Sequence, residues 1–422
     1  MLNKLFAYYL IFISLSINAQ HLDIGRKWVD TLSSEYFFGR GYVNDGVNKA
    51  ADFIKNEFQH LGLIELPGLD HFFQPFTHIV NTFPGKVEVS VGEKVLVNGV
   101  HFMVHPNSGG GSLTLNPTVI NYPDVGDEFV KEAISDILKD NFNSIVFDLT
   151  GAEYQEENEL IFRFISLANH FPVIFISDKK LTWGVGADVQ LKNPVIQLAD
   201  SIDVMDKSIA INVDAKLEES FESRNVAGYI QGKSPNAKTI LFTAHYDHLG
   251  GMGSEVFIPG ANDNASGVSM LGALANYYIK NPPDHHIVFI AFAGEEAGLL
   301  GSEYFVKNNT IGLDSIEIVL NIDLMGTGED GITLVNGKVL TAQFERMVKI
   351  NQKHNFLPKI KPRGPAKNSD HYYFTKNGVP AFFIYTLGDY PHYHDINDKY
   401  ENLPFSKYDE IVNLLIYYVN SL

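Results

Sequence analysis

Five short stretches in the second half of the chain hold residues able to bind a metal ion or carry a proton. They are HYDHLGG from His245, GANDNASG from Gly260, GEE at Gly294 to Glu296, DLMG from Asp323 and PHYHDIND from Pro391. His245 and His394 offer borderline nitrogen donors, while Asp263, Glu296 and Asp323 offer hard oxygens. Such a set suits Zn2+, Co2+ or Mn2+ and contains nothing soft enough for copper(I) or an iron–sulfur cluster. With one carboxylate bridging, it serves two ions about 3.5–4 Å apart. Glu295 is then left over as a base. Neighbouring side chains on an extended chain point to opposite faces, so Glu295 and Glu296 are expected to have separate partners and separate roles. Asp247 follows His245 by two residues, on the same face if the strand continues, where its carboxylate can accept the second ring N–H and orient the imidazole.

Each residue also has an ordinary reading. A lone His-x-Asp is commonly a hydrogen-bonded histidine, with His248 as a less regular competitor. Asp263 before a helical run is an N-cap, and His392 rivals His394 as half of a surface pair. The glutamate pair and Asp323 resist this treatment, because ionised carboxylates at the ends of buried strands cost several kcal/mol when unpaired. One metal centre accounts for all five strand ends together.

The elements that must position these residues are apolar runs. TILFTA precedes HYDHLG, HIVFIAFA precedes GEE, IEIVLNI precedes DLMG, and VPAFFIYT leads to YPHYHDIND, while GANDNASG opens the helical run VSMLGALANYYIK. Continuous apolar strands of this kind belong in a sheet covered on both faces, and ligands of such sheets sit beyond the carboxyl ends of the strands. The expected fold class is therefore α/β, with a mixed, mostly parallel central sheet and helices on both faces. Upstream, Val47, Ala51, Ile54, Phe58 and Leu61 recur at helical spacing before Gly62. From Lys86 the texture changes to short β-like runs, KVEVSV and KVLVNGV, then NSIVFDLTG and FPVIFISD, which predicts an inserted smaller α/β or β-rich domain. Its glycine-rich PNSGGGS, Pro106 to Ser112, lacks the Gly-Lys-Ser/Thr ending of a phosphate cradle and reads as a flexible loop. The expected division is a signal peptide over 1–19, an N-terminal part of the main domain over 20–85, the insert over 86–206 and the core over 207–422.

The 422 residues, 45% of them hydrophobic, can bury a large core and more than one folding unit. A formal charge of −18 argues against nucleic acid or an anionic membrane surface as partner. With no cysteine, disulfides, a thiol nucleophile and a lipidated N-terminal cysteine are excluded. The opening MLNKLFAYYLIFISLSINAQ has one lysine, an apolar run and a small residue at Ala19, the layout of a secretory signal. A secreted or periplasmic location is expected. A signal anchor is the alternative, but the apolar run is short for a bilayer span, so no stable membrane anchor is expected.

HYDHLG, GANDNASG, FAGEEAGLLGSEYF, NIDLMG, SDHYYFTKNGVPAFF and YHDINDKY, in this order, resemble the M28 family of zinc metallopeptidases, which includes bacterial secreted leucyl-type aminopeptidases. The resemblance covers about half the chain, from Asn225 onward, with a weaker echo in GRGYVNDGVNKAADFIKNEFQHLGL. It implies a zinc-dependent exopeptidase fold, with an inserted protease-associated domain in the place of residues 86–206. It further implies two Zn2+ ions bridged by Asp263, one completed by His245 and Asp323 and the other by Glu296 and His394. Glu295 matches the general base that takes a proton from a metal-bound water, Asp247 the carboxylate behind the first histidine, and the peptide Asp263–Asn264 is expected to be cis. The implied substrates are peptides with a free N-terminus, cut after the first residue. The chain departs from the family in lacking a tyrosine just before SDH that helps hold the reacting carbonyl. Tyr372 or Tyr373 could substitute, although core packing is their ordinary role.

Two rival assignments share parts of this pattern. Glutaminyl cyclases use a single zinc, a tryptophan-rich pocket and an insertion after GEE. Here only Trp28 and Trp183 occur, neither near a motif, and GLLGSEYF follows GEE directly. A receptor-like ectodomain that kept the fold and lost the metals would lose ligands, whereas all five and Glu295 are present.

Overall fold

Runs such as TILFTAH and IEIVLNID place branched and aromatic side chains on both faces of a strand, so both faces need cover. The computed structural model, which describes residues 21–124, 135, 144–308 and 310–422, shows how they get it. Four parallel strands lie side by side in the order His286–Phe292, Thr239–His245, Ile316–Asp323 and Ala381–Leu387. Lys216–Ile230 flanks them antiparallel on one side, carrying Phe73–Thr82 and Ile64–Glu65. Gly331–Val335 flanks them antiparallel on the other, followed by Ile360–Pro362. The central sheet is thus mixed and mostly parallel at its core.

Alternate residues of each strand feed two separate cores. Ile240, Phe242, Phe289, Leu320 and Ile322 pack with the helices Gly46–Leu61, Gly267–Lys280 and Tyr408–Val419. Leu241, Val288, Ile290 and Val319 face the other way, onto the short helices Leu300–Lys307 and His371–Lys376. The predicted helix with Val47, Ala51, Ile54 and Phe58 buried ends at Gly62, whose φ of 95° closes it as a left-handed cap.

Between these halves of the main sheet, the chain builds two further sheets. One is antiparallel, in the order Lys94–Val95, Val87–Val91, Ile209–Val213 and Gly111–Leu115. The other runs Phe102–Val104, Val195–Ala199, Val173–Ser177, Ile145–Asp148 and Thr118–Asn121. They share a core of Val89, Met103, Ile174, Ile196 and Ile211. Because Ile209–Val213 pairs within the smaller unit and Lys216–Ile230 within the main sheet, the changeover falls between Val213 and Lys216, beyond residue 206. The glycines of PNSGGGS are not a flexible loop. A Cβ on Gly109 would collide with the carbonyl of Leu191, and one on Gly110 would lie 2.9 Å from that of Val213, so they mark a tight crossing of backbones. The predicted signal segment lies outside the described residues. Among the described residues, no helix is long and apolar enough to cross a membrane.

Candidate active site

His245 and Asp323 are the last residues of their parallel strands. Glu295 and Glu296 follow the strand His286–Phe292 by way of Gly294, whose φ of 69° turns the chain back over the sheet. His394 lies in the loop after Ala381–Leu387, and Asp263 in the irregular turn Ala261–Ser266 before the helix Gly267–Lys280. The peptide Asp263–Asn264 is cis, as the resemblance implied. All six side chains line one cavity of about 290 Å3 beyond the strand ends.

Asp263 stands at the centre of the cluster. Its Oδ1 is 3.4 Å from His245 Nε2, and its Oδ2 is 3.1 Å from His394 Nε2. Asp323 Oδ2 lies 3.4 Å from the same His245 nitrogen, and Glu296 Oε1 lies 3.6 Å from His394 Nε2. One potential ligand atom each from His245, Asp263 and Asp323 fall within 4.8 Å of one another, as do those of His245, Glu295 and Glu296. Asp323 Oδ1 is buried without a hydrogen-bond partner among the described residues. An orphaned carboxylate oxygen among several buried acids is a site short of positive charge, and a divalent cation would satisfy it. Nitrogen and oxygen donors without sulfur fit zinc.

His248 joins the same cluster. It is fully buried, with Nδ1 2.9 Å from Glu296 Oε1 and 3.8 Å from Asp263 Oδ1, while its Nε2 has no hydrogen-bond partner among the described residues. Glu296 therefore lies between His248 and His394, whose rings meet edge to face. His392, the rival of His394, instead points at Asp395 Oδ2, 3.6 Å away, and lies outside the cavity lining.

Two expectations need correction. The strand ends at His245, so Asp247 does not continue its face. His245 Nδ1 approaches the backbone carbonyl of Asp247 at 3.0 Å, while the nearer carboxylate oxygen is 3.9 Å away. The Asp247 carboxylate instead accepts the N–H groups of Glu295 (3.2 Å) and Glu296 (3.3 Å), with the Tyr42 hydroxyl at 3.4 Å. It anchors the turn that carries the two glutamates. For the same reason Glu295 and Glu296 do not face opposite ways: they sit on a turn, and both reach the cavity.

Their surroundings still differ. Burial raises the pKa of Glu295 well above the usual carboxylate range; the charges of Glu296, Asp370 and Asp323 add to this and His245 opposes it. Burial acts on Glu296 in the same direction, but the charge of His394 and the hydrogen bond from His248 outweigh it, and its pKa falls. Asp263 is likewise held low against its burial, by the His394 hydrogen bond and the neighbouring histidine charges. Burial would lower His394, but Glu296 and Asp263 lift it to about 9. Behind Glu295, the wholly buried Asp370 is pushed up to about 7, chiefly by burial.

Several supporting residues were not visible in the sequence. Asp398 accepts the N–H groups of Asn262 (2.8 Å) and Asp263 (3.0 Å), fixing the turn from the far end of the chain. Arg40, also fully buried, donates to the carbonyls of Leu32, Tyr246, Pro259, Gly260 and Asp263 at 2.7–3.1 Å. His394 Nδ1 donates to the carbonyl of Trp183 at 2.9 Å. Only the YHDINDKY motif hinted at Asp398. Tyr372 and Tyr373 pack with the core around Phe305 and Phe374 and stay outside the cavity, whose tyrosines are Tyr385 and Tyr393.

Comparison with known proteins bears on the family and the fold. Residues 225–419 match the model of a family described as "Peptidase family M28". The aminopeptidase YwaD of Bacillus subtilis is 33% identical over 192 residues, which are 43% of this chain and 40% of the relative. A probable leucine aminopeptidase of Arthroderma otae is 29% identical over 211 residues, 48% of this chain and 58% of the relative. The chain thus spans between 40% and 58% of the length of these relatives. Among solved structures, BSAP, a zinc aminopeptidase from Bacillus subtilis, superposes with a TM-score of 0.70 over 94% of both chains at 20% identity. A peptidase M28 precursor from Shewanella amazonensis gives 0.68 over 96% of this chain and 94% of its own, at 16% identity. At these identities the likeness is one of fold.

Proposed function

Residues 225–419 belong to peptidase family M28, and from that premise we propose that the chain is a di-zinc aminopeptidase that removes the N-terminal residue of peptides. The observation that carries the reading is the split of Asp263, one carboxylate oxygen toward His245 and the other toward His394. His245 and Asp323 would hold one zinc with Asp263; Glu296 and His394 would hold the other, with His248 steadying Glu296. Bound zinc supplies Lewis acidity toward a carbonyl and lowers the pKa of water in its coordination shell.

The protein's own groups perform the remaining tasks. Glu295, whose raised pKa makes its ionised carboxylate a stronger base than an ordinary glutamate, takes the proton of the attacking water and delivers it to the leaving amine. Asp247 holds the turn on which Glu295 rides, so the base stays in register with the cluster. The substrate's ammonium group is drawn to the acidic cluster of Glu296, Asp263 and Asp323, which favours peptides with a free N-terminus. Phe383, Tyr385 and Tyr393 wall the cavity on its apolar side, against the first side chain of the substrate. The apolar N-terminal run supports export as the setting for such an enzyme.

The test is hydrolysis of aminoacyl p-nitroanilides and free peptides against N-blocked peptides, with and without chelator, alongside zinc stoichiometry. Release of the first residue only from unblocked substrates, abolished by chelator and restored by zinc at two ions per chain, is expected. Cleavage confined to blocked substrates would overturn the aminopeptidase reading, and cyclisation of an N-terminal glutamine peptide with one zinc would replace it.

A further inference from the structure

The smaller unit reaches into the active-site wall through one segment. After the strand Val173–Ser177, the chain runs alongside the loop that carries His394. Lys180 Nζ donates to the carbonyls of Pro391 (2.5 Å) and Tyr393 (2.8 Å) and pairs with Asp395 Oδ2 at 2.7 Å. Those three acceptors match the three N–H bonds of an ammonium group. Three residues on, the Trp183 N–H donates to the carbonyl of His394 at 3.1 Å, and the Trp183 carbonyl accepts from His394 Nδ1 at 2.9 Å.

Trp183 is itself fixed. Its indole is buried and donates through Nε1 to the carbonyl of Val104, inside the smaller unit. Beyond His394, Ile396 packs against the same unit's core. The loop from Pro391 to Ile396 is therefore gripped on both sides of His394 by residues outside the main sheet. His394 also has a φ of 56°, a left-handed backbone uncommon outside glycine. With Nδ1 donating to Trp183, Nε2 is the nitrogen turned toward Asp263 Oδ2 and Glu296 Oε1.

We propose that Lys180 and Trp183 are positioning residues through which the smaller unit sets the affinity of the metal position that includes His394. The proposal rests on the reading of His394 as a ligand. The smaller unit then acts on the active site through a backbone carbonyl and a lysine, without entering the cavity. Because only one of the two metal positions leans on this contact, disturbing it should separate the two affinities.

Lys180 gives the test, since its side chain is 41% exposed and lies at the edge of the contact. Lys180→Met is expected to weaken zinc at one of two positions by about 10–100-fold, the usual cost of losing an orienting partner. The other position should keep its affinity. Lys180→Arg, which retains charge and donors, should recover most of the loss. The readouts are zinc stoichiometry under graded chelator competition and the visible absorption of the cobalt-substituted protein, neither of which requires turnover. His394→Ala serves as the control. If it loses one metal while Lys180→Met binds both as the parent does, the positioning role is wrong and the ligand reading stands. If His394→Ala keeps both metals, the ligand reading fails, and the proposal with it. Equal weakening of both positions in Lys180→Met would also overturn the proposal.

Discussion

Arg40 offers a perturbation whose consequence can be worked through from contacts alone. All five of its guanidinium N–H bonds meet backbone carbonyls, those of Leu32, Tyr246, Pro259, Gly260 and Asp263. Burial lowers its pKa to about 10, with the nearby Asp398, Asp263, Asp247 and Glu296 resisting the fall, so it remains a cation at neutral pH. Arg40→Met keeps the apolar length of the side chain and removes every donor. The Gly260 carbonyl retains a second donor in the Ala265 N–H at 3.2 Å. If two or three of the other carbonyls are left unpaired, at about 1–3 kcal/mol each, the loss comes to about 3–6 kcal/mol after water reaches some of them. For a chain of this length the unfolding entropy is roughly 0.9 kcal/mol per kelvin, so the melting temperature should fall by about 3–7 °C. Arg40→Lys keeps the charge but has three donors for five acceptors, and should lose about half as much. The assay is calorimetric melting of the metal-free protein, which keeps ligand binding from masking the change. Arg40 ties the loops bearing His248 and Asp263 together, so zinc affinity should fall as well. An Arg40→Met protein that melts within about 1 °C of the parent and binds zinc equally would refute the assignment of Arg40 as the tie between these loops.

Four further outcomes are expected. Glu295→Gln should leave zinc content unchanged while kcat drops by about 10^2–10^4-fold, the range for a general base; equal turnover would remove Glu295 from that role. Asp263→Ala should empty both metal positions and Asp323→Ala only one, as counted by metal analysis after gel filtration; equal losses would show that Asp263 does not bridge. In the metal-free protein His394 titrates near 9 against an ordinary 6.5, so its stabilising contribution is complete below about 6.5 and is lost as pH rises through about 9. Zinc must displace that proton, so zinc affinity measured by chelator competition should climb with pH and level off near 9; a flat profile from pH 7 to 9 would contradict the shift. Arg363 lines the cavity with the Tyr385 hydroxyl at 3.4 Å as its side-chain partner and no carboxylate of the chain in ion-pair contact among the described residues. Arg363→Ala should therefore raise KM about fivefold for peptides with an acidic residue beside the cleaved one, the worth of an exposed ion pair, and leave neutral peptides unchanged.

The convergence of these histidines and carboxylates was legible because the chemistry proposed for them requires rare residue types at places where the strand pattern is easy to see. A carboxylate or histidine at the end of HIVFIAFA or IEIVLNI stands out, since nothing else explains a charge there. Fold class followed from the same runs. What failed was local geometry. The face assigned to Asp247 assumed that the strand continues past His245, and the opposed glutamates assumed an extended chain at Gly294, where φ is positive. A strand's end is a hydrogen-bonding event, and apolar pattern gives little warning of it.

The supporting residues escaped notice for a different reason: their partners are backbone groups. Arg40 reaches Gly260 across 220 positions, Trp183 reaches His394 across 211 and Asp398 reaches Asn262 across 136, each through a carbonyl or an N–H that every residue possesses. No side-chain signature marks such contacts. Yet together they converge on the two residues, Asp263 and His394, around which the proposed second metal position turns. Arg40 comes from before the smaller unit, Trp183 from within it and Asp398 from the loop before the last helix. The matched segment, residues 225–419, contains every proposed ligand but only one of these three supports. Held by Asp398 alone, its Asp263 turn would lack the Arg40 tie and its His394 would lack the Trp183 carbonyl. The proposed metal site therefore leans on segments outside the one that carries the family motifs, and an isolated 225–419 fragment should bind zinc weakly even where it folds.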